Sequence, residues 1–342
     1  MNNTKIREFH LFAGIGGGIY GGSLLNHECV GACEIGDYQK KVLKQRQTDG
    51  WLTQFPIYSD LCQLNGSQFK GTFDILCGGF PCQAFSTAAH GKNIAEKNLW
   101  GEMLRFVKES EAPVVFGENV VLRAIEKAKE DLEALGYTVK RIRLSCSDLG
   151  ADHQRNRFWL LAVKDFDLFN NEIMPKLLTI PRLCGGCWAL DPTKMGSPVQ
   201  VNKKERRQQL LGVGNAQSPL VAATAFRILA ERMSVAPLVN TETVTDLEIS
   251  SVFDKSPTWI QTTFNNIGLV HTPTTMANYA CASMMKHQGC RNFTKVFGKP
   301  EPDNAEYLMG FPKGASSPNP VPAQNFMTWA ASVIFYPTMN VG

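Results

Sequence analysis

The sequence lacks an apolar run of about 18 residues, which is the length that a membrane-spanning helix needs. Its polar start, MNNTKIREFH, also lacks the apolar core of a signal peptide. We therefore expect an intracellular, cytoplasmic protein that contacts no membrane. Ten cysteines are scattered through the 342 residues without a secretory signal, so we expect reduced thiols rather than a disulfide framework.

A strong excess of charge of one sign is also absent. The formal net charge is +4, with 35 Lys and Arg against 31 Asp and Glu, and this alone does not indicate a nucleic-acid partner. Internal repeats and low-complexity segments are not evident. The length and the apolar share of 44% fit one large domain or two ordinary ones, with a well-buried core.

Strand-like and helix-like segments alternate along the first 164 residues. The segments REFHLF, ECVGACEI, TFDILCGG and APVVFGE resemble strands, whereas DYQKKVLKQRQ, LWGEMLRFVKES and VLRAIEKAKEDLEALG resemble helices. Two further strand-like runs, YTVKRIRLS and RFWLLAV, close this half. The alternation predicts an α/β fold with a doubly wound, mostly parallel sheet and with ligands outside the carboxyl ends of the strands.

A glycine-rich turn, AGIGGGIYGG, follows the first strand. Gly16, Gly18 and Gly21 fit a GxGxxG pattern, and Glu34 closes the next strand at the spacing of a ribose-binding acid. This pattern fits NAD, FAD and S-adenosylmethionine equally well, and a tight turn without a ligand is the alternative. The carboxylates Glu34 and Asp60, with no P-loop lysine after the glycines, favour a neutral or cationic nucleoside.

The stretch GGFPCQAFS, residues 78–86, places a cysteine after a proline at the end of a strand. Pro81 restricts Phe80 to extended conformations and stiffens the turn before Cys82. A helix that begins nearby would favour the thiolate form of Cys82. A lone cysteine is more often an inert structural residue, so the pattern by itself leaves both interpretations open.

Two further segments favour a nucleophilic Cys82. Glu118, in FGENV, ends another strand near the same sheet edge, and HQRNRFW adds Arg155 and Arg157 at the start of a strand. Together these groups fit methyl transfer to C5 of cytosine: a thiolate adds to C6 while a protonated glutamate bonds N3. C5 then attacks an electrophilic methyl group, and loss of the C5 proton expels the cysteine. Cysteine is both a good nucleophile and a good leaving group.

Five motifs in one order resemble those of DNA (cytosine-5-)methyltransferases. They are LFAGIGGG for the cofactor, GGFPCQAFS for the nucleophile, ENV for the glutamate, HQRNRFW for the arginines and GVGNAQSP for a late Gly-Asn motif. Any one motif alone would be only a hypothesis, whereas the ordered set is specific. The later element AEYLMGFPKG follows the Gly-Asn motif instead of preceding it, a layout that resembles phage-type members.

The resemblance implies a role for each matching residue. Cys82 is the nucleophile, Glu118 the partner of N3, and Arg155 and Arg157 hold the flipped base and order the catalytic loop. The implied cofactor-binding residues are Phe12, Ala13, Gly14, Gly16, Gly17, Glu34, Ile35, Asp60, Leu61, Pro81, Trp100 and Asn215. Gln83 and Ser86 are the implied substrate-binding residues, in a loop over residues 83–98 that closes over DNA.

The resemblance also implies partners and surroundings. It implies S-adenosylmethionine as cofactor, double-stranded DNA as substrate, a monomeric protein and the cytoplasm of a bacterial or phage-infected cell. Two residues depart from the family: His10 stands where an acid or small polar residue is common, and His153 replaces a glutamine. Neither departure removes a group that the reaction requires.

The same resemblance divides the chain. We predict a catalytic domain over residues 1–164 plus 211–234 and a smaller target-recognition domain over residues 165–210 plus 235–342. The helix-like SPLVAATAFRILAERM is expected to return to the catalytic domain. We predict no metal site, although Cys184 and Cys187 form a Cys-x-x-Cys pair for which Cys281, His287 and Cys290 are conceivable zinc partners.

Two other functions remain open from the sequence. A cytosine-5 methyltransferase that acts on RNA, of the tRNA-modifying type, would share these motifs. A catalytically silent DNA-binding subunit is the second alternative, and the intact Cys82, Glu118 and Arg157 argue against it.

Overall fold

The computed structural model describes residues 5–81, 99–191, 202–234, 242–255, 267–272 and 281–334. The strands are β1 (Arg7–Leu11), β2 (Glu28–Cys33), β3 (Ile57–Tyr58), β4 (Ile75–Gly79), β5 (Val114–Asn119), β6 (Thr138–Leu144), β7 (Arg157–Val163), β8 (Leu183–Cys184) and β9 (Phe253–Asp254). The first helices are α1 (Gly17–Leu24), α2 (Asp37–Thr48), α3 (Leu99–Ser110), α4 (Leu122–Glu133), α5 (Phe166–Leu168), α6 (Met174–Leu178) and α7 (Gly186–Ala189). The later helices are α8 (Lys203–Asn215), α9 (Pro219–Ser234), α10 (Asp246–Val252), α11 (Gln288–Phe297), α12 (Pro302–Leu308) and α13 (Ala323–Val333).

The main sheet has seven strands in the order β3-β2-β1-β4-β5-β7-β6. The pairs from β3 to β5 are all parallel, and β7 alone runs antiparallel to its neighbours β5 and β6. The sequence prediction of a doubly wound, mostly parallel, Rossmann-like sheet is therefore confirmed. The chain order reverses between β1 and β4, and ligands bind at such a switch point.

Helices cover both faces of the sheet, which explains why its central strands are apolar almost throughout. All six residues of β5 are buried, and its apolar side chains alternate between the two large hydrophobic clusters. One face packs against α1 and α9, and the other packs against α3 and α4. Helix α9 is buried on nearly every side, as its apolar composition requires, and packs on α1, β6 and β7.

The segment 302–334 packs directly against the first helices. Phe311 and Trp329 lie 5.8 and 6.0 Å from Tyr20 of α1, measured between ring centroids. The fully buried Arg46 of α2 donates hydrogen bonds to backbone carbonyls of residues 314 and 319. Helix α11 instead packs in a smaller hydrophobic cluster, which it shares with Val270 and with Tyr307 and Leu308 of α12. The assignment of residues 235–342 to a target-recognition domain stays a prediction.

Candidate active site

A cleft opens at the carboxyl ends of β1, β4 and β5, where the sheet order reverses. Its lining comes from the turn after β1, the start of α1, the last residues of β4, the end of β5 and the segment after α8. The lining residues are His10, Leu11, Phe12, Ala13, Gly14, Gly17, Gly18, Gly78, Gly79, Glu118, Asn215, Ala216 and Gln217. Residues of four of the five sequence motifs therefore meet in one cleft.

The turn after β1 has an unusual backbone. Phe12, Gly14 and Gly16 all adopt positive φ angles, of 55°, 56° and 92°. Glycine adopts this conformation at little cost, whereas Phe12 is strained, as residues at functional sites often are. Gly16 caps α1, so the turn directs the amino end of that helix into the cleft.

Glu34 is held in place at the end of β2. Its Oε2 accepts the backbone N–H of Gly14 and its Oε1 that of Gly36, each at 2.7 Å. Each carboxylate oxygen keeps a further lone pair that can accept a ribose hydroxyl. A Cβ added at Gly14 would meet nothing within 4 Å, so there is open space above the turn. These residues fit a nucleoside such as that of S-adenosylmethionine.

The other predicted cofactor residues lie around this turn. The Ile35 side chain is 74% exposed beside Glu34, and the Asp60 carboxylate caps the turn 61–63 by accepting the N–H of Cys62. Leu61 is buried next to Asp60. Trp100 is also buried: its Nε1 donates to Asp131 at 2.9 Å, and its ring lies 4.8 Å from that of Phe80. Contact of these residues with a cofactor stays a prediction.

The Glu118 carboxylate forms an ion pair at the base of the cleft. Its Oε1 lies 3.0 Å from Nε of Arg157, and its Oε2 accepts a hydrogen bond from Nε2 of Gln217 at 3.4 Å. Both charged side chains are largely buried. The pairing requires β7 to run antiparallel to β5, because only then does the first residue of β7 reach the last residues of β5.

The end of β4 is tied to the strand that carries Glu118. Gly79 pairs in register with Glu118, and the next residue of that strand, Asn119, donates from Nδ2 to the carbonyl of Phe80 at 2.8 Å. The described chain continues to Pro81, which directly precedes Cys82. Cys82 itself lies outside the described residues, as do Gln83 and Ser86.

Arg155 joins the arginine motif to the Gly-Asn motif. Its Nη2 donates to the carbonyls of Gly214 and Ala216, each at 2.8 Å. These bonds hold Asn215 and Gln217 at the cleft. The neighbouring His153 is fully buried, and burial together with Arg155 and Arg157 lowers its pKa to about 3, so its imidazole is neutral.

The sequence interpretation missed two residues that help to build the site. Asn119 and Gln217 both lie inside motifs that were recognised, ENV and GVGNAQSP, but only the neighbouring Glu118 and Asn215 received roles. A Cβ added at Gly79 would lie 2.9 Å from Nε2 of Gln217, which shows how closely this amide crosses the cleft. The sequence signal that could have identified Asn119 and Gln217 is their position inside these two motifs.

A buried polar cluster lies beneath the cleft. Both carboxylate oxygens of Glu8 accept hydrogen bonds, one from Nε2 of His10 at 2.9 Å and one from Nδ1 of His27 at 2.7 Å. Burial alone would raise the pKa of Glu8, but the two imidazoles, foremost His27, lower it to about 2. Glu8 is therefore ionised, and each imidazole donates to it.

Among the described residues, no third potential metal ligand joins Cys184 and Cys187 of the Cys-x-x-Cys pair, and the zinc alternative stays a hypothesis. Among those residues, only Glu8, His10 and Cys77 bring three potential metal ligands together. Cys184 and Cys187 are buried, and burial raises the pKa of both thiols.

Of the described helices, none is both long and apolar enough to cross a membrane.

The fold and the site together define a class. A Rossmann-like sheet, a strained glycine turn, an acid after β2 and a buried Glu–Arg pair at the switch point are the parts of an S-adenosylmethionine-dependent methyltransferase. Residues 6–220 match the family described as C-5 cytosine-specific DNA methylase, and the chain belongs to that family. S-Adenosylmethionine is the methyl donor of this family.

Several known proteins are similar to the chain. The type II methyltransferase M.CviJI of Paramecium bursaria Chlorella virus IL3A is 29% identical over 170 residues, which cover 48% of this chain and 45% of that protein. The type II methyltransferase M.HhaI of Haemophilus parahaemolyticus is 29% identical over 185 residues, covering 51% and 54%. The chain thus spans about half the length of the curated relatives it matches.

Two solved structures are also similar. A putative DNA modification methyltransferase encoded within an Escherichia coli prophage shares 23% identity, covers 47% of each chain and has a TM-score of 0.39. A variant of DNMT2 from Spodoptera frugiperda shares 15% identity, covers 96% of each chain and has a TM-score of 0.47.

Proposed function

We propose that the protein transfers a methyl group from S-adenosylmethionine to C5 of cytosine in double-stranded DNA, through a covalent adduct between Cys82 and C6. One observation carries the proposal. The register of β4 with β5, reinforced by the Asn119 bond to the Phe80 carbonyl, starts the Pro-Cys loop beside the Glu118 carboxylate. A nucleophile and an acid that start from adjacent strand ends can act on neighbouring atoms of one base.

Each residue has a distinct task in this proposal. The Cys82 thiolate adds to C6 of the cytosine, while Glu118, which takes up a proton when the base enters the cleft, donates that proton in a hydrogen bond to N3 and draws electron density from the ring. S-Adenosylmethionine supplies the electrophilic methyl group that C5 takes. A water molecule then takes the C5 proton, the C5–H electron pair restores the C5–C6 double bond, and the electron pair of the C–S bond returns to Cys82 as thiolate.

The ion pair between Glu118 and Arg157 supports this assignment. Arg157 fixes the carboxyl through Oε1, so the other oxygen points into the cleft beside Gln217. A carboxyl held at a defined angle is what general acid catalysis requires, because proton transfer depends on reach and alignment. Arg155 supports the same arrangement indirectly, by fixing the backbone on both sides of Asn215.

The cofactor would lie across the turn after β1. Glu34 would accept the ribose hydroxyls, Ile35 would cover the adenine, and Asp60 lies at the neighbouring strand end to bind its amino group. Trp100 and Leu61 support this side of the cleft from beneath, since both are buried.

A basic surface on the C-terminal part would contact the DNA backbone. The described segment 281–299 has no Asp or Glu, and it carries exposed basic side chains at four positions: Lys286, Arg291, Lys295 and Lys299. Lysine and arginine supply most contacts to phosphates, whereas the base to be methylated must be flipped out of the stack into the cleft.

A methyl-transfer assay tests the proposal. We expect tritium from labelled S-adenosylmethionine to appear in cytosine of duplex DNA that contains many sequences, and not in tRNA. The matched control is Cys82→Ala, which should bind S-adenosylhomocysteine as the wild type does but transfer no methyl group. If tritium appeared in tRNA alone, the substrate would be RNA and not DNA. Transfer by the Cys82→Ala protein at the wild-type rate would rule out the adduct.

A further inference from the structure

A chain of buried polar groups leads from the interior of the sheet to Glu118. His10 on β1, Cys77 on β4 and Glu118 on β5 lie on the face of the sheet that α1 and α9 cover. Gly79 leaves room on this face, and the side chain of Gln217 fills it. The proposed reaction uses Glu118 but assigns nothing to the groups behind it.

The directions of the hydrogen bonds to Glu8 and Glu118 show which atoms of His10 and Gln217 remain as acceptors. Glu8 is an ionised acceptor, so the Nε2 of His10 carries a proton and donates to it. In the imidazole tautomer that donates from Nε2, Nδ1 of His10 is an acceptor. Gln217 donates from Nε2 to Glu118, so its Oε1 is also an acceptor. Among the described residues, no hydrogen bond reaches either of these two acceptors.

These two acceptors border the same small space. A Cβ added at Gly18 would lie 3.3 Å from Nδ1 of His10 and 2.6 Å from Oε1 of Gln217. A cavity of about 10 Å³ is lined by both side chains, by Glu8 and by Cys77. A volume of about 10–15 Å³ with two or more polar partners is what one buried water molecule needs.

We propose that one buried water molecule donates its two hydrogens to Nδ1 of His10 and Oε1 of Gln217, and that the completed chain from Glu8 to Gln217 positions the Glu118 carboxyl. His10 is then a positioning residue, which acts on Glu118 through the water and through Gln217. The water fixes which end of the Gln217 amide is its oxygen, and so directs the amide nitrogen at Glu118.

The cluster has a more obvious alternative, a metal site at Glu8, His10 and Cys77. The geometry disfavours it, because both oxygens of Glu8 already accept imidazole N–H groups at hydrogen-bonding distance. Burial also raises the pKa of Cys77 well above 9, which opposes the thiolate that a metal would bind.

The test compares three variants of the full-length protein. His10→Asn and Gln217→Met interrupt the chain, whereas His27→Asn is the matched control: it replaces an equally buried imidazole on the other oxygen of Glu8, away from Gln217, by an amide that can still donate to that oxygen. The first readout is the carboxyl ¹³C signal of Glu118 in protein with ¹³C-labelled glutamate, assigned by its loss in Glu118→Gln. We expect this signal to move in both interrupting variants and to stay unchanged in His27→Asn.

The second readout is the single-turnover rate of methyl transfer, and this arm rests on the proposed function. Removing an outer-shell partner that orients a metal ligand typically costs about 10- to 100-fold in affinity or activity, and we take the same order for a residue that orients Glu118. We expect such a loss in His10→Asn and Gln217→Met, with the affinity for S-adenosylhomocysteine unchanged. Because the carboxyl signal needs no activity, an inactive wild-type protein would reject the proposed function and leave the chain testable.

Two results would overturn the inference. One is a Glu118 signal that is the same in the wild type and in both interrupting variants. The other is a signal that His27→Asn moves as much as His10→Asn does, which would reveal a general loosening of the core. Thermal unfolding identifies a variant that fails to fold. If His10→Asn fails to fold, the result for Gln217→Met decides the test. Gln217 is only half-buried at the cleft, and its replacement leaves both imidazoles bonded to Glu8.

Discussion

At the scale of single residues, the geometry of the site depends on side-chain contacts that the sequence motifs do not specify. Glu118 was predicted to end a strand, and it is the second-to-last residue of β5. Its contact with Arg157 could not be derived from spacing, since it depends on one antiparallel strand in a parallel sheet. Gln217 reaches Glu118 only because Arg155 holds the backbone on either side of Asn215.

Glu118→Gln tests the catalytic carboxyl. The amide keeps the shape and a hydrogen-bond donor but cannot give up or take a proton, so we expect the single-turnover methylation rate to fall by about 10²- to 10⁴-fold. The affinity for DNA should change little. The matched control is Glu126→Gln, which makes the same change in a surface pair with Arg141 and should leave the rate as it is. An unchanged rate in Glu118→Gln would make Glu118 structural.

Glu8 predicts how stability depends on pH. Its pKa is lowered in the folded protein from 4.5 to about 2, so the stabilisation is complete above pH 4.5 and is lost as the pH falls toward 2. The shift corresponds to about 3 kcal/mol. In urea unfolding we expect the free energy of unfolding to fall more steeply over this range in the wild type than in Glu8→Gln. Parallel curves for the two proteins would contradict the lowered pKa.

At the scale of elements, periodicity and turn residues predicted most of the sheet. The predicted strand segments from Arg7 to Leu11 and from Ile75 to Gly79 are strands, and the glycine turn leads into α1 as expected. What the sequence could not show is how elements distant in the chain pack together. Tyr20 contacts Phe311 and Trp329 across almost 300 residues, and such pairs depend on the fold rather than on local pattern.

Gly17→Ala tests the junction between α1 and the segment after α8. An added Cβ would lie 2.2 Å from the backbone oxygen of Gln217, so the two segments would have to separate. We expect a lower melting temperature and weaker binding of S-adenosylhomocysteine. Gly212→Ala is the control, because its Cβ would meet only the Cγ2 of Ile15, at 2.9 Å, and that side chain can move. Equal effects of the two substitutions would contradict the close packing.

At the scale of the whole molecule, the chain joins the part that matches the family to a C-terminal part for which we propose contacts with DNA. Residues 6–220 match the family, and the segment beyond them holds both the helices packed on α1 and the basic surface of residues 281–299. The predicted domain boundary at residue 235 does not separate two independently packed parts, because removing residues 302–334 would expose Tyr20 and Trp51. Substitutions of surface residues test DNA recognition without exposing these core side chains.

Lys295→Ala and Lys299→Ala test the basic surface. If each lysine contacts a phosphate, each substitution should weaken DNA binding at all sequences and reduce the slope of log affinity against log salt by about 1. Binding of S-adenosylhomocysteine should not change. Lys129→Ala, in a surface pair with Glu133 on α4, is the matched control. A salt slope that neither lysine alters would remove this surface from the DNA contact.

The central claim, a covalent step at Cys82, is tested most directly with duplex DNA that contains 5-fluorocytosine. Fluorine at C5 cannot leave as a proton does, so the adduct formed after methyl transfer cannot collapse. With S-adenosylmethionine present, we predict a denaturant-stable complex of protein and DNA, with the peptide that contains Cys82 attached to the base in mass spectra. The Cys82→Ala protein should give no such complex. A wild-type protein that methylates ordinary DNA but forms no adduct with the fluorinated duplex would contradict the mechanism.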